Sequence, residues 1–439
     1  KIIYQNMKSK KNVYIGFAAS SILSSHINLF KKANKLGNVI VGLFTDKAIL
    51  EYDDLPNIKY EDRLKILSSI KFIKKIVLQD TYDYTKNLNL FKPDIVLHGN
   101  RWKGINGLTI KKKIIKSLKK WNGKLIETKY DYSTVDKEKE LSRKLLDNSY
   151  NRISKLNRLI KNKEIIRFLE CHNPLSGNII ENTKIFKNKK IVEFDGMWSS
   201  SLADSAIRAK PDNQAVDYST RINSINEIFE ATSKPMLFDA DNGGRLEHLP
   251  HLINKLEKLG VSAIVMEDKV GLKQNSLFGN KIQKKAQQDN VKNFCKKIKE
   301  VKRLRKNSDF LIFARVESLI LKKGMKDALM RSKRYHDAGA DVILIHSKEK
   351  NPKEIFEFSK KFHKIVRNPI IAIVPSTYSK VYEHEIIKNK IKIVIYANQL
   401  LRSIYPSMKN TAESILKNKR SYNIEKKLTK ISEIISLFE

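Results

Sequence analysis

Eight short apolar runs, separated by segments of helix length, fill the chain from residue 165 onward: 166–169, 191–194, 235–238, 262–266, 310–313, 342–345, 370–374 and 393–395. Strands of a parallel sheet are covered on both faces, so they read as continuous apolar runs rather than alternating ones. Eight βα repeats over about 250 residues fit a closed (β/α)8, TIM-type barrel. In such a barrel the chemistry sits where the carboxyl ends of the strands meet. The residues just beyond each run are therefore the ones to read.

In chain order these are Glu170, His172 and Asn173, then Trp198 with Ser200, Ser201 and Leu202, then Asp239 and Asp241. Glu267, Arg315 with Glu317, His346 with Ser347 and Lys348, Pro375 with Ser376, and Asn398 complete the ring. The fourth run ends in Met266-Glu267-Asp268 and opens at once into a polar loop carrying Lys269, Lys273 and Asn275. Acids on a strand end followed by a polar loop suit a metal-assisted site with a lid. Asp239 and Asp241 are two apart, so an extended chain points both to one side. Glu267 from the neighbouring strand makes three acids around one point. One such acid alone is accounted for by capping a helix; three on adjacent strands favour a hard divalent cation. Few protein ligands and retained waters favour Mg2+. Arg315 and His346 supply cationic and hydrogen-bonding groups for an anionic substrate.

The 439 residues carry 86 basic against 47 acidic side chains, a formal net charge of +39. A basic face supplies much of a protein's affinity for phosphate backbones, which keeps a non-enzymatic nucleic-acid-binding protein as the alternative class. Here, however, the lysines are spread over the whole length with no aromatic-interleaved stripe. Lys, Asn and Ile are abundant together, as a compositional bias produces. The reading is no nucleic acid, and a positive field that attracts small phosphorylated substrates. No apolar run approaches the ~18 residues of a membrane span, and residues 1–12 lack the apolar centre of a secretory signal. Cys171 and Cys295 make no disulfide framework and have no metal-ligand spacing, which fits a cytoplasmic protein.

Ahead of the barrel, strand-like and helix-like segments alternate: strands near residues 11–16, 38–44, 76–78, 95–99 and 124–126, with helices starting near His26 and Lys59. This is the pattern of a parallel sheet that binds ligands at its strand ends. The turn Leu23-Ser24-Ser25-His26, the segment Gly99-Asn100-Arg101-Trp102 and the segment Tyr132-Ser133-Thr134-Val135 fall at telling places in it. Over roughly residues 11–135 they resemble the cytidylyltransferase family of the nucleotidyltransferase superfamily. Its corresponding motifs are His-x-Gly-His, Gly-Asp-Asp-Trp and Ile-Ser-Thr-Thr. The resemblance implies a Rossmann-like fold, CTP as partner, and His26, Lys47, Arg63, Ser133 and Thr134 as nucleotide-binding positions. The first histidine of the turn is leucine here and its glycine is Ser25. That removes a donor to charge developing on phosphorus and crowds the approach of phosphate to backbone. The expectation is a domain that keeps the fold and is impaired in nucleotidyl transfer.

Further motifs lie along the second half: Trp198-x-Ser200-x-Leu202, Pro211-Asp212-Asn213, Asp239-Ala240-Asp241, Glu267-Asp268-Lys269, Lys273-x-Asn275-Ser276-Leu277, Ala314-Arg315-Val316-Glu317 and His346-Ser347-Lys348. From about residue 151 to the C-terminus the chain resembles the phosphoenolpyruvate mutase family of the isocitrate lyase superfamily. The resemblance implies interconversion of phosphoenolpyruvate and phosphonopyruvate, with Mg2+ held directly by Asp239 and through water by Asp241 and Glu267. It further implies that Trp198, Ser200, Ser201 and Leu202 surround the substrate carboxylate and enolate. Arg315 and His346 would grip the phosphoryl group, with Asp212 beside the migrating phosphorus. Lys273, Asn275, Ser276 and Leu277 would close over it. Isocitrate-type lyases use a cysteine in this loop, and residues 269–279 contain none. Phosphonopyruvate hydrolases share most of the site but read Lys-x-Thr-Ser in the loop, so Asn275 favours the mutase. After Asp241 the family's Thr-Gly-Tyr-Gly is replaced by Asn242-Gly243-Gly244-Arg245. The two resemblances together are similar to bifunctional proteins of phosphonate biosynthesis, with an active CTP:phosphonate cytidylyltransferase half as the alternative.

The boundaries expected are 1–135 for the front domain, 136–163 for a charged linker helix and 164–439 for the barrel with C-terminal helices. Cys171, beside His172, is expected to be core packing, because neighbours on a strand face opposite sides. From Met408 onward apolar residues recur at helical spacing (Ile415, Ile424, Leu428, Ile431, Ile435). In the superfamily resembled, terminal helices are exchanged between subunits, which implies a homodimer or homotetramer.

Overall fold

The computed structural model describes residues 10–56, 58–100, 102, 107–128, 149–187, 190–271, 273, 275–277 and 287–437. At the front, β1 (Asn12–Phe17), β2 (Asn38–Phe44), β3 (Lys75–Gln79), β4 (Ile95–Gly99) and β5 (Lys124–Thr128) form one sheet ordered β3-β2-β1-β4-β5. Every pairing in it is parallel. Alternation along β1 shows how it is buried: Val13 and Ile15 pack on one face with Phe30, while Tyr14 packs on the other with Phe44 and Leu88.

The second unit begins with β6 (Ile166–Glu170). An antiparallel hairpin of β7 (Lys184–Lys187) and β8 (Lys190–Glu193) follows, then β9 (Gly196–Ser199), β10 (Met236–Asp239) and β11 (Ala263–Glu267). A two-residue pair, β12 (Lys269–Val270) and β13 (Gln287–Gln288), precedes β14 (Leu311–Val316), β15 (Val342–Ile345), β16 (Ile370–Ile373) and β17 (Ile393–Tyr396). The closed barrel runs β6-β9-β10-β11-β14-β15-β16-β17 and returns to β6. Two apolar shells hold it. Phe168, Trp198, Leu237, Val265, Phe313 and Leu344 fill the interior, while the alternate residues pack outward under the helices. The helix Leu249–Leu259 illustrates the outer shell: Leu249, Leu252, Ile253 and Leu256 are buried, one stripe at helical spacing.

One strand lies elsewhere than its apolar run. Residues 191–194 belong mostly to the hairpin, where Ile185, Phe186 and Ile191 are exposed. The barrel strand is Gly-Met-Trp-Ser, just beyond. Its glycine is required by packing: a Cβ on Gly196 would lie 2.3 Å from the ring of Phe168 and 2.8 Å from the Pro235 carbonyl oxygen. Close approach of the β6 side chain, rather than hydrophobicity, selects this residue.

The helix Ser149–Asn162 lies against the barrel, with Leu156, Leu159 and Ile160 joining the interior shell; residues 136–148 lie outside the described residues. Leu55, from the segment after β2, is buried in the same shell. Polar ties reinforce this junction. Asp46 accepts from Arg63 at 2.7 Å through one oxygen and from Arg158 at 2.9 Å through the other. Asp309 takes both Lys59, at 3.2 Å, and Asn157, at 2.7 Å. At the other end, the helices Gln399–Asn418 and Ile431–Ser436 bury none of their residues. No helix among the described residues is long and apolar enough to cross a membrane.

Candidate active site

Strand parity decides which strand-end residues enter the barrel mouth. Leu237 and Val265 face the interior, so Asp239 and Glu267 follow them upward, and Phe313 likewise leads to Arg315 and Glu317. Asp268 has the opposite parity. It accepts from the Tyr335 hydroxyl and the Gln288 amide, each at 2.8 Å, and from the Glu317 backbone N–H at 2.9 Å. Of the two acids that close β11, only Glu267 enters the mouth.

Asp241 arrives by a different route from the one its spacing predicts. β10 stops at Asp239, and Asp241 adopts a left-handed φ of +49°, followed by Gly243 and Gly244 at +79° and +68°. Asp241 is therefore not on an extended strand with Asp239; a tight turn swings it back beside Asp239, whose Oδ1 accepts from the Asp241 N–H at 3.2 Å. Left-handed backbone at a non-glycine residue stores strain, and such strain gathers at functional sites.

Two clusters of charge gather at the mouth. In the first, Lys273 reaches in from the loop. Its ammonium pairs with Asp241, lies 3.4 Å from Asp239 Oδ2 and 3.5 Å from Asp212 Oδ1, and donates to the Ser201 hydroxyl. Ser201 donates in turn to Asp239 at 2.9 Å. Ser200 caps the helix Ser201–Ala206, its hydroxyl accepting from the Ala203 N–H at 3.4 Å. Trp198 is buried in the interior shell below, and Leu202 is half-buried. Burial opposes charge on both Lys273 and Asp239. Their mutual attraction, with Arg315 and Arg221 near the acid, still holds Lys273 well above the usual lysine value and Asp239 well below the carboxylate range.

In the second cluster, Arg315 donates to Glu317 at 2.6 Å and to the Ser276 hydroxyl at 2.7 Å, and its Nη2 lies 3.0 Å from His346 Nδ1. A guanidinium has only donors, so His346 Nδ1 accepts and its proton sits on Nε2. That Nε2 is buried with no hydrogen-bond partner among the described residues. Burial, and then Arg315, push the imidazole below its ordinary value, although Glu317 opposes this. Lys269 lies 3.1 Å from Glu267 and donates to Ser276 at 2.9 Å. Burial pushes the Glu267 carboxyl up to about 7 against the pull of Lys269 and Arg315.

The three acids do not share one point, since Glu267 faces Lys269 and Arg315 while Asp239, Asp241 and Asp212 face Lys273. Among the described residues no three His, Cys, Asp or Glu groups form a ligand cage. The donor set nevertheless fits a hard cation that keeps most of its waters. Buried carboxylates already converge on one ammonium, and both oxygens of Asp212 lack a hydrogen-bond partner among the described residues. Of the loop residues, Asn275 Oδ1 accepts from the Leu277 N–H at 3.0 Å.

Three buried groups at the mouth were not singled out by sequence reasoning as site residues. Lys269 had a signal, its place two residues after Glu267. Glu170 had a weaker one, as a strand-end acid; its carboxylate is hydrogen-bonded to His172 Nδ1 and accepts from the Leu401 N–H at 3.1 Å. Arg221 had none. It donates to Asp204 at 2.7 Å and to the Asp239 carbonyl at 2.6 Å from within a helix. Cys171 packs in the outer shell, where burial pushes its thiol up to about 12.

In the front domain His26 is buried, its Nδ1 accepting from the Leu23 N–H at 3.1 Å, and Lys47 is exposed. Arg63 departs from a nucleotide-contacting role. It is fully buried and donates to the carbonyls of Ala18 and Phe44 as well as to Asp46. Ser133 and Thr134 lie outside the described residues, as does Arg101. Trp102 stacks on His98, ring centroids 3.8 Å apart, and donates to Glu127 at 2.8 Å.

Two family models match successive parts of the chain. Residues 24–138 match the cytidylyltransferase-like family model, and residues 156–416 match that of phosphoenolpyruvate phosphomutase. A phosphoenolpyruvate phosphomutase of Tetrahymena pyriformis is 33% identical over 290 residues, 66% of this chain and 92% of that protein. The crystal structure of a phosphoenolpyruvate phosphomutase from Streptomyces platensis subsp. rosaceus superposes with a TM-score of 0.59 at 29% identity, covering 65% of this chain and 94% of that one. A phosphonopyruvate hydrolase, solved in complex with oxalate and Mg++, gives 0.56 at 28% identity, covering 66% and 94%. With more than half its length matched by that model and its barrel laid out as described, the chain belongs to the phosphoenolpyruvate phosphomutase family.

Proposed function

We propose that the barrel interconverts phosphoenolpyruvate and phosphonopyruvate, moving a phosphoryl group between the enol oxygen and C3. The observation that carries this reading is the pairing of the two clusters. A carboxylate group suited to a divalent cation, in which Lys273 bridges Asp212, Asp239 and Asp241, shares the barrel mouth with an anion-gripping group in which Arg315, His346 and Ser276 meet. Asp239 would hold the cation directly and Asp241 and Glu267 through water; Mg2+ is the choice the phosphonopyruvate hydrolase complex supports. When bound, it neutralises the carboxylate and enolate oxygens of the substrate. Arg315 and the Nε2–H of His346 bind the phosphoryl oxygens. Ser200, Ser201 and Leu202 orient the enolpyruvate part, and Lys273, Asn275 and Leu277 exclude water above it. Little covalent chemistry falls to the protein, so catalysis is positioning and charge stabilisation. A pyruvate-kinase-coupled assay starting from phosphonopyruvate tests it. With lactate dehydrogenase and NADH present to reduce pyruvate, NADH consumption that requires pyruvate kinase and ADP marks phosphoenolpyruvate, and consumption without them marks hydrolysis to pyruvate.

The front domain, in this proposal, keeps its fold and is impaired in nucleotidyl transfer, because Arg63 is engaged at the domain junction rather than offered to a nucleotide. Robust CTP-dependent pyrophosphate release with a phosphonate acceptor would overturn that. A homodimer or homotetramer is proposed from the C-terminal helices, which leave Tyr405, Met408, Leu416 and Ile431 exposed.

A further inference from the structure

We infer that Lys269 is a positioning residue that turns the Ser276 hydroxyl into a donor for the phosphoryl group and so sets the balance between transfer and hydrolysis. The inference rests on the reaction proposed above. A serine oxygen has two lone pairs and one proton. At Ser276 Oγ, Lys269 Nζ donates across 2.9 Å and Arg315 Nη2 across 2.7 Å. Ammonium and guanidinium groups cannot accept, so both lone pairs are taken and the hydroxyl proton must find an acceptor elsewhere. Ser276 is only 7% exposed, which leaves bulk water a poor candidate. A phosphoryl oxygen gripped by Arg315 is the acceptor the site brings alongside. Lys269 is itself fixed by Glu267, at 3.1 Å, and lies 3.9 Å from Glu317. Two strand-end acids thus help to set its direction.

The consequence concerns the fate of the phosphoryl group. In transfer, the C–P bond of phosphonopyruvate breaks with its electron pair passing into the pyruvate enolate, whose oxygen then takes the phosphoryl group; no proton is consumed. In hydrolysis a water oxygen takes it instead, and a proton ends on C3, giving pyruvate and inorganic phosphate. Without Lys269, the Ser276 oxygen regains a lone pair and the hydroxyl is free to rotate. The group in flight then loses a tether, and water competes better.

Phosphorus NMR of phosphonopyruvate turnover with Mg2+ tests this on the full chain, comparing wild type with Lys269→Met, Ser276→Ala and the double variant. Lys269→Met is expected to slow phosphoenolpyruvate formation about 10- to 100-fold, to change KM less than kcat, and to raise the phosphate share of the product. Lys269→Arg, which keeps the donor, is expected to recover most of the rate. The double variant should be no slower than the slower single, because both changes act on one hydroxyl. A wild-type rate and product ratio in Lys269→Met overturns the inference, and so do single losses that multiply in the double variant. If Lys269→Met fails to fold by circular dichroism, Ser276→Ala decides alone, and an unchanged product ratio there overturns the inference. Failure of the parent reading is distinct, since the wild-type protein would then form no phosphoenolpyruvate.

Discussion

Lys273 Nζ lies 3.4 Å from Asp239 Oδ2, across 34 residues of sequence, and thereby brings the loop after β11 onto the strand end that would carry the metal. An ammonium and a divalent cation compete for the same carboxylates. Lys273→Ala is therefore expected to bind Mg2+ more tightly in the absence of substrate, by isothermal titration calorimetry. It should at the same time lose turnover by about 100-fold or more, for want of charge near the reacting group. Unchanged Mg2+ affinity would contradict the competition.

Asp239 is tied to Lys273, to Ser201 and, through its carbonyl, to Arg221. Asp239→Ala is expected to abolish turnover at any practical Mg2+ concentration, while Asp241→Asn, one step further out, loses less and is partly restored by excess Mg2+. Steady-state rates across a Mg2+ titration check both. A near wild-type rate in Asp239→Ala would remove the metal assignment.

His346 carries a pH prediction. Burial, and then Arg315, lower its folded-state value below the ordinary 6.5. The unfolded chain therefore binds the proton more readily than the folded one. The stability that depends on neutral His346 is complete above pH 6.5 and is lost as pH falls from there through the folded value. Nitrogen-detected NMR is expected to show a neutral imidazole with its proton on Nε2 at pH 7, and His346→Gln is expected to flatten the acid side of the stability curve.

The junction gives a stability prediction. Asp46 is the shared counter-ion of Arg63 and Arg158, both buried. Removing one partner of a buried ion pair leaves uncompensated charge, so Asp46→Ala is expected to cost about 3–5 kcal/mol. In urea the single unfolding transition should split, the front domain melting first. A midpoint within error of wild type would contradict this.

How much of this the sequence discloses depends on the range of the interaction. Period-two alternation separates Glu267 from Asp268 and lines up Arg315 with Glu317, because parity is local. The run of apolar residues at 191–194 misleads because Gly196 is chosen by the ring of Phe168, a neighbour visible only once the barrel closes. Asp241 reaches Asp239 through a left-handed turn that spacing alone does not announce. The pairing of Asp46 with Arg158 spans 112 residues and two units, and a basic position that looks free in sequence, Arg63, proves to be occupied by it.

Phosphorus NMR of the wild-type protein with phosphonopyruvate and Mg2+ follows whether phosphorus moves between carbon and oxygen within one substrate molecule. The phosphonate resonance is expected to decline as that of phosphoenolpyruvate grows, with inorganic phosphate a minor product. Growth of inorganic phosphate alone, or no change in the phosphonate signal, would contradict it.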